Sequence, residues 1–277
     1  MRLKIMLLAL LAITACLTTL RPAATASRPS DKLYQEMTPA ERGAFVSAKA
    51  RSIAREMSGN DYQFTRDFEA TIQKHVDFYV QRIGTGQPGQ GTGAMFERGQ
   101  SSAATINGIF KKHKVSPLIG LYIPAIESAY INIQSPNEAG SLGMFQFTQK
   151  TGEHFGLTPI DLLDVEKSAD AAARYIMRSM KQFKDDPMKE ALAILAYNRG
   201  GGNVERDLAL LVTAENGACS ICALTANSHR LDATFQSENV YYVPRFFAAA
   251  IIGENPQAFG LQTQPLSSFE ATRSRLW

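Results

Sequence analysis

The sequence predicts a predominantly α protein, and three observations carry that expectation. Apolar residues recur at helical spacing, most clearly Phe64, Phe68, Ile72, Val76 and Val80, joined by Tyr79 and Ile83. Helix starts and stops are written in capping and breaking residues: Thr38-Pro39-Ala40-Glu41 is a capping box with proline at the first helical position, and Gly59 closes the same segment. Strand signals are few and short, the best being GMFQF at 143–147, so at most a short β element is expected.

Taken in order, the first helix runs from the capping box to Gly59, and the second carries the Phe64–Ile83 stripe. The segment GTGQPGQGTG (84–93) then holds five glycines in ten residues. No Lys-Ser/Thr follows, so it reads as a flexible linker and not as a phosphate loop. A boundary is expected there, with a small helical N-terminal segment and linker over 27–93, a main domain over 94–261 and a tail over 262–277. Within the main domain Ser116-Pro117 opens a helix reading LIGLYIPAIE, apolar nearly all round and therefore expected to be buried, with Pro124 bending it. Further helices are expected over 166–183, over 187–198 from Asp186-Pro187 to Gly200-Gly201-Gly202, over 203–213, and from Glu238 through Pro244.

Residues 1–15, MRLKIMLLALLAITA, have a basic start and an apolar stretch too short to span a bilayer, which is a secretory signal pattern within a leader expected over 1–26. Two cleavage readings stand. Ile13-Thr14-Ala15-Cys16 matches a lipobox in which Cys16 is acylated, and this reading is favoured; Ala24-Thr25-Ala26 is an A-x-A site that would leave Ser27 first. No later segment reaches 18 uninterrupted apolar residues, so no further membrane span is expected. The chain has 29 Lys+Arg against 26 Asp+Glu, but Arg2, Lys4 and Arg21 precede Ser27, and the remainder is neutral. Nothing in that balance points to nucleic acid.

Cys219 and Cys222 form a C-S-I-C spacing within a polar, irregular stretch. A thioredoxin-like redox site would need a strand before the motif and a helix opening at it. Zinc would need two more ligands, and only His229 is near, so no metal site is expected. A local structural disulfide is the better reading for an oxidising compartment.

The chemistry concentrates elsewhere. Glu127 ends the apolar helix, where a carboxylate is expensive to desolvate without a partner or a role; the bland alternative leaves it exposed at the helix end. Gly140-Ser141-Leu142-Gly143-Met144-Phe145-Gln146 has glycines that let a backbone approach a ligand and an amide that bonds both ways. Ala196-Tyr197-Asn198 before three glycines, and Tyr241-Tyr242, read singly as a helix end and core filling.

Together these motifs form an ordered set. Glu127-Ser128, Ser135-Pro136, GSLGMFQ (140–146), TGEHFGL (151–157), AYNRGGG (196–202), ENVYYVP (238–244) and ENPQAFGL (254–261) follow one another as in the family 1 bacterial lytic transglycosylases. Residues 72–261 resemble that family, and within it the membrane-bound type D branch. The resemblance implies a goose-lysozyme-like, mainly helical fold that cleaves the β-1,4 bond between N-acetylmuramic acid and N-acetylglucosamine of peptidoglycan, with no cofactor. It implies that Glu127 is the catalytic acid/base, that Ser135, Gln146, Tyr197, Asn198 and Tyr242 line the glycan groove, and that Ser128, Gly143 and Glu238 support it. The leader pattern, for its part, leads to an expectation of the periplasmic face of the cell envelope, with membrane contact only through an N-terminal lipid anchor at Cys16. The chain departs from the family pattern in a shortened segment before Ser135, in Arg199 where a small residue is usual, and in Phe145 where Met or Trp is common.

Physical chemistry fits that assignment. Apolar neighbours such as Ile123 and Ile126 disfavour the charged form of Glu127 and raise its pKa, so that it can donate a proton near neutrality. Its conjugate base can then take the proton of the muramic C6 hydroxyl as that oxygen closes on C1. Ordinary glycosidases need a second carboxylate; the only candidate near in sequence is Glu138, in an expected loop. Two rivals follow: a hydrolytic muramidase using Glu127 with Glu138 or another acid, and a non-catalytic wall-binding accessory of cell-envelope machinery for secretion or conjugation, which keeps the groove but does not need Glu127.

Overall fold

The structure, a computed structural model, describes residues 32–85, 87, 89–211 and 217–270. The leader and Cys16 lie outside the described residues. The Glu41 amide donates to the Thr38 hydroxyl at 3.3 Å, and the Glu41 carboxylate accepts from the Thr38 amide at 2.7 Å. Helix α1 (Pro39–Ser58) therefore begins at its capping box and ends at Gly59. Helix α2 (Arg66–Val80) is capped by Thr65 and buries Phe68, Ile72 and Val76, one i, i+4 stripe. Phe64 stands just before it and meets Phe247 edge-on, ring centroids 5.2 Å apart.

Helix α3 (Gly91–Lys112) starts inside the glycine-rich segment, so the last part of the expected linker is helical. The Thr92 amide donates to the Arg82 carbonyl at 3.0 Å and its hydroxyl to the Tyr79 carbonyl at 2.7 Å, and these bonds tie the segment to the end of α2. Helix α4 (Pro117–Ser128) is buried on nearly every side. It passes so close to α3 that a Cβ on Gly120 would lie 2.4 Å from the Phe110 ring. It also packs on α10 (Tyr242–Glu254), likewise almost wholly buried, which packs in turn on α2 and α1.

Of the expected strand GMFQF only Phe147 is in a strand, and residues 144–146 form a turn. Strands β1 (Ser141–Leu142) and β2 (Phe147–Thr148) flank it and pair antiparallel, Ser141 opposite Thr148 and Leu142 opposite Phe147. The reason is backbone conformation: Gly143 (φ 74°) and Gln146 (φ 51°) are left-handed, which no strand accommodates. Helices α5 (Gln149–His154), α6 (Val165–Gln182), α7 (Lys189–Arg199) and α8 (Gly201–Leu211) follow. α7 opens later than expected because the Asp186 carboxylate accepts from the Met188 amide at 2.7 Å and makes a capping turn of Asp186-Pro187.

The cysteine stretch is not irregular throughout. Cys219 caps α9 (Ser220–Ala226), and it is disulfide-bonded to Cys222 with Cα atoms 5.2 Å apart. The Thr65 amide donates to Cys222 Sγ at 3.4 Å, which sets α9 against the start of α2. The last helix begins at Tyr242, not Glu238, because Phe235–Asn239 forms a π-helical turn ahead of it. Among the described residues no helix is long and apolar enough to cross a membrane.

Candidate active site

Glu127 occupies the last turn of α4, and much of the local structure serves to end that helix abruptly. Ala129 (φ 50°) and Tyr130 (φ 59°) are both left-handed, a conformation worth about 1–3 kcal/mol of strain per residue for side chains of this kind. Several carbonyls around the helix end find partners. The Tyr130 amide donates to Pro124 O at 3.2 Å, Arg245 donates to Ile126 O at 3.0 Å, and Arg98 Nε donates to Ala129 O at 3.0 Å. The buried Tyr130 hydroxyl reaches back to Leu121 O at 2.7 Å.

The turn at 143–146 is fastened to the same point. Ser128 Oγ donates to Met144 O at 2.7 Å, and Tyr197 of α7 donates its hydroxyl to Phe145 O at 2.9 Å. Gln146 Nε2 donates to Gly143 O at 2.7 Å, closing the turn on itself. Gly143 permits a close approach as well as its φ: a Cβ there would fall 2.0 Å from Leu162 O.

One carboxyl stands in this frame. The Tyr242 hydroxyl donates to Glu127 Oε1 at 2.5 Å. Burial pushes the Glu127 carboxyl up to about 7, against the opposing pull of the Tyr242 hydrogen bond and the Arg245 charge. Burial likewise holds the Tyr242 and Tyr197 phenols well above their usual range, with the Glu127 charge adding to both. Glu127 faces a cavity of about 830 Å³ whose other walls come from α2, the start of α3, Ile131 and Ile133. Glu127 is the only carboxyl lining it among the described residues. A smaller hollow of about 360 Å³, near Lys150, His154 and Arg178, has no carboxyl in its described lining, so a carboxylic acid is available only in the larger of the two.

The structure thus brings together Glu127, Ser128, Gly143, Gln146, Tyr197 and Tyr242. It leaves others apart. Ser135 and Glu138 are exposed in the loop between Ile133 and β1. Asn198 is exposed and accepts from Asn239 Nδ2 at 2.6 Å. Glu238 is exposed on the π-helical turn. Cys219 and Cys222 serve the α9–α2 contact and do not line the Glu127 cavity. Among the described residues no cluster of three His, Cys, Asp or Glu side chains could hold a metal ion. Sequence reasoning missed Arg245, Arg98 and Tyr130. For Arg245 a signal existed, since it lies three residues after Tyr242 and shares its helical face.

Residues 105–215 match the family model described as the Transglycosylase SLT domain. That stretch holds Glu127, the 143–146 turn and Tyr197, while α2 and Tyr242 lie outside it. No curated protein matches the chain.

Proposed function

We propose that this chain, whose match to the SLT domain includes Glu127 facing a large cavity, is a peptidoglycan lytic transglycosylase. It cleaves the β-1,4 bond between N-acetylmuramic acid and N-acetylglucosamine and leaves a 1,6-anhydro-muramoyl end. The observation that carries this reading is Glu127: a carboxyl pushed up to about 7, facing a large cavity, with one oxygen already engaged by Tyr242. Because Oε1 accepts the Tyr242 hydrogen bond, the neutral acid holds its proton on Oε2. That proton passes to the glycosidic oxygen as its bond to C1 breaks. The carboxylate then accepts the proton of the muramic C6 hydroxyl as the O6–C1 bond forms, and no water is consumed. A hydrolase would need a second carboxylate to activate water, and Glu127 has none beside it in the described lining of the cavity.

The finer assignments belong to the same reading. The motif order supports the type D branch, and the leader pattern with Cys16 supports export and lipid anchoring at the periplasmic face of the envelope. Mass analysis of sugars released from purified wall tests the reaction. Products should be lighter by one water than hydrolysed ends and resistant to borohydride. Glu127→Gln should lower the rate by about 10²–10⁴-fold, and Glu138→Gln should keep much of it. Reducing ends together with an inactive Glu138→Gln would install the hydrolase instead.

A further inference from the structure

Helix α2 has two apolar faces, and only one of them is explained by packing. Phe68, Ile72 and Val76 form the stripe buried in the core. Phe78 is off that stripe and 52% exposed, yet it lines the Glu127 cavity, and the Arg82 guanidinium lies 5.2 Å from the centre of its ring. Across the cavity Ile131 is 49% exposed. An exposed apolar pair of this size on the wall of a cavity is a ligand surface more readily than a packing surface.

The charge of the wall points to the ligand's chemistry. Arg82, Arg98 and Arg245 all line the cavity, and no carboxylate among the described residues pairs with them. Arg98 and Arg245 spend hydrogen bonds on backbone carbonyls, and the Arg245 charge also acts on Glu127, so Arg82 and Arg98 carry the cationic character of the wall. The cavity therefore combines one neutralisable acid with a cationic and apolar flank, a fit for an anion that also carries aliphatic groups. In peptidoglycan that description belongs to the peptide stem. The stem hangs from the lactyl group of the same muramic sugar whose C1 is attacked, and it begins with alanine and a γ-linked glutamate whose α-carboxylate is free.

We propose that the Phe78–Arg82 face of α2, with Arg98 and Ile131 opposite, seats the stem peptide of the muramoyl unit being cleaved. The guanidinium groups take its free carboxylate, and Phe78 and Ile131 cover its aliphatic part. This rests on the transglycosylase reading for the identity of the sugar. It makes the helix that precedes the matched domain a determinant of substrate choice: strands that keep their stems are bound in preference to stripped ones.

Two measurements test it. The first compares KM and kcat on glycan strands bearing stems with the same strands stripped by an amidase. Wild type should show a KM about tenfold lower on stem-bearing strands, a preference that fades at high salt. Arg82→Gln and Phe78→Ala, both substitutions of exposed side chains, should bring the ratio of the two KM values towards one. Equal KM values for wild type, or variants that keep its preference, would overturn the proposal. The second needs no turnover: calorimetric binding of muramoyl-L-alanyl-D-glutamate to Glu127→Gln, with and without Arg82→Gln. The added substitution should weaken binding about tenfold. No binding, or binding that ignores Arg82, overturns the stem seat whatever the activity. Arg82-dependent binding by a protein that cleaves neither substrate would instead sustain the seat and overturn the transglycosylase reading.

Discussion

Glu127 is held between opposed influences, and their balance decides what it can do. Desolvation favours the neutral acid, while the Tyr242 hydrogen bond and the Arg245 charge favour the carboxylate, and the result near 7 lets one group both donate and accept a proton in a cycle. The acid form must be present when the glycosidic bond breaks, so kcat/KM should fall as pH rises through about 7. Removing the Tyr242 hydroxyl takes away a lowering influence. Tyr242→Phe should therefore move the falling limb to higher pH, and a pH–rate profile of the variant reads the shift directly. A limb that stays in place, or moves down, would show that Tyr242 does not set the protonation of Glu127.

Between elements, buried charge does the fastening. Arg199, at the end of α7, is buried and bonds Asp207 of α8 at 3.0 Å and the Asp232 carboxylate, with its guanidinium 5.6 Å from the centre of the Phe235 ring. It joins the helix that carries Tyr197 to the turn that leads into Tyr242. The sequence marked Arg199 only as a departure from a familiar motif; the structure gives it two carboxylate partners. Truncating one member of a buried pair strands the other in a poor solvent. Arg199→Ala should cost about 3–5 kcal/mol in urea unfolding, because Asp207 is left buried without its cation. A loss below about 1 kcal/mol, the range of an exposed ion pair, would show that the network is solvated.

For the described unit as a whole, the core runs across the boundary that composition suggests at residue 93. α2 packs on α10, and Phe64 and Phe68 stack while Phe64 meets Phe247. Phe68, Ile72 and Val76 are nearly or completely buried. Each is worth about 1.5–3 kcal/mol of burial, which together rivals the net stability of an ordinary domain, about 5–15 kcal/mol. A fragment beginning at residue 94 should therefore lack a cooperative thermal transition and expose the α10 surface to hydrophobic dyes. A fragment that melts as sharply as the full chain would show that α1 and α2 are an appendage.

The sequence by itself determined what is local. Capping boxes, Pro117 and the glycine stops bounded most helices to within a few residues, since those signals act over one turn. The apolar run before Glu127 announced a desolvated acid for the same reason. Where signals were mixed, local reading failed: GMFQF has the side chains of a strand but a backbone bent by Gly143 and Gln146, and Leu162 O, which leaves no room for a Cβ at Gly143, arrives from another part of the chain. The direction of the Glu127 shift was legible in its apolar neighbours, but the groups that oppose it were beyond any local rule. Its partner Tyr242 is 115 residues away, and its cavity is walled by a helix some fifty residues earlier. Desolvation and Coulomb terms sum over whatever packing brings near, so the fold alone decided the balance at a residue that the sequence had already singled out.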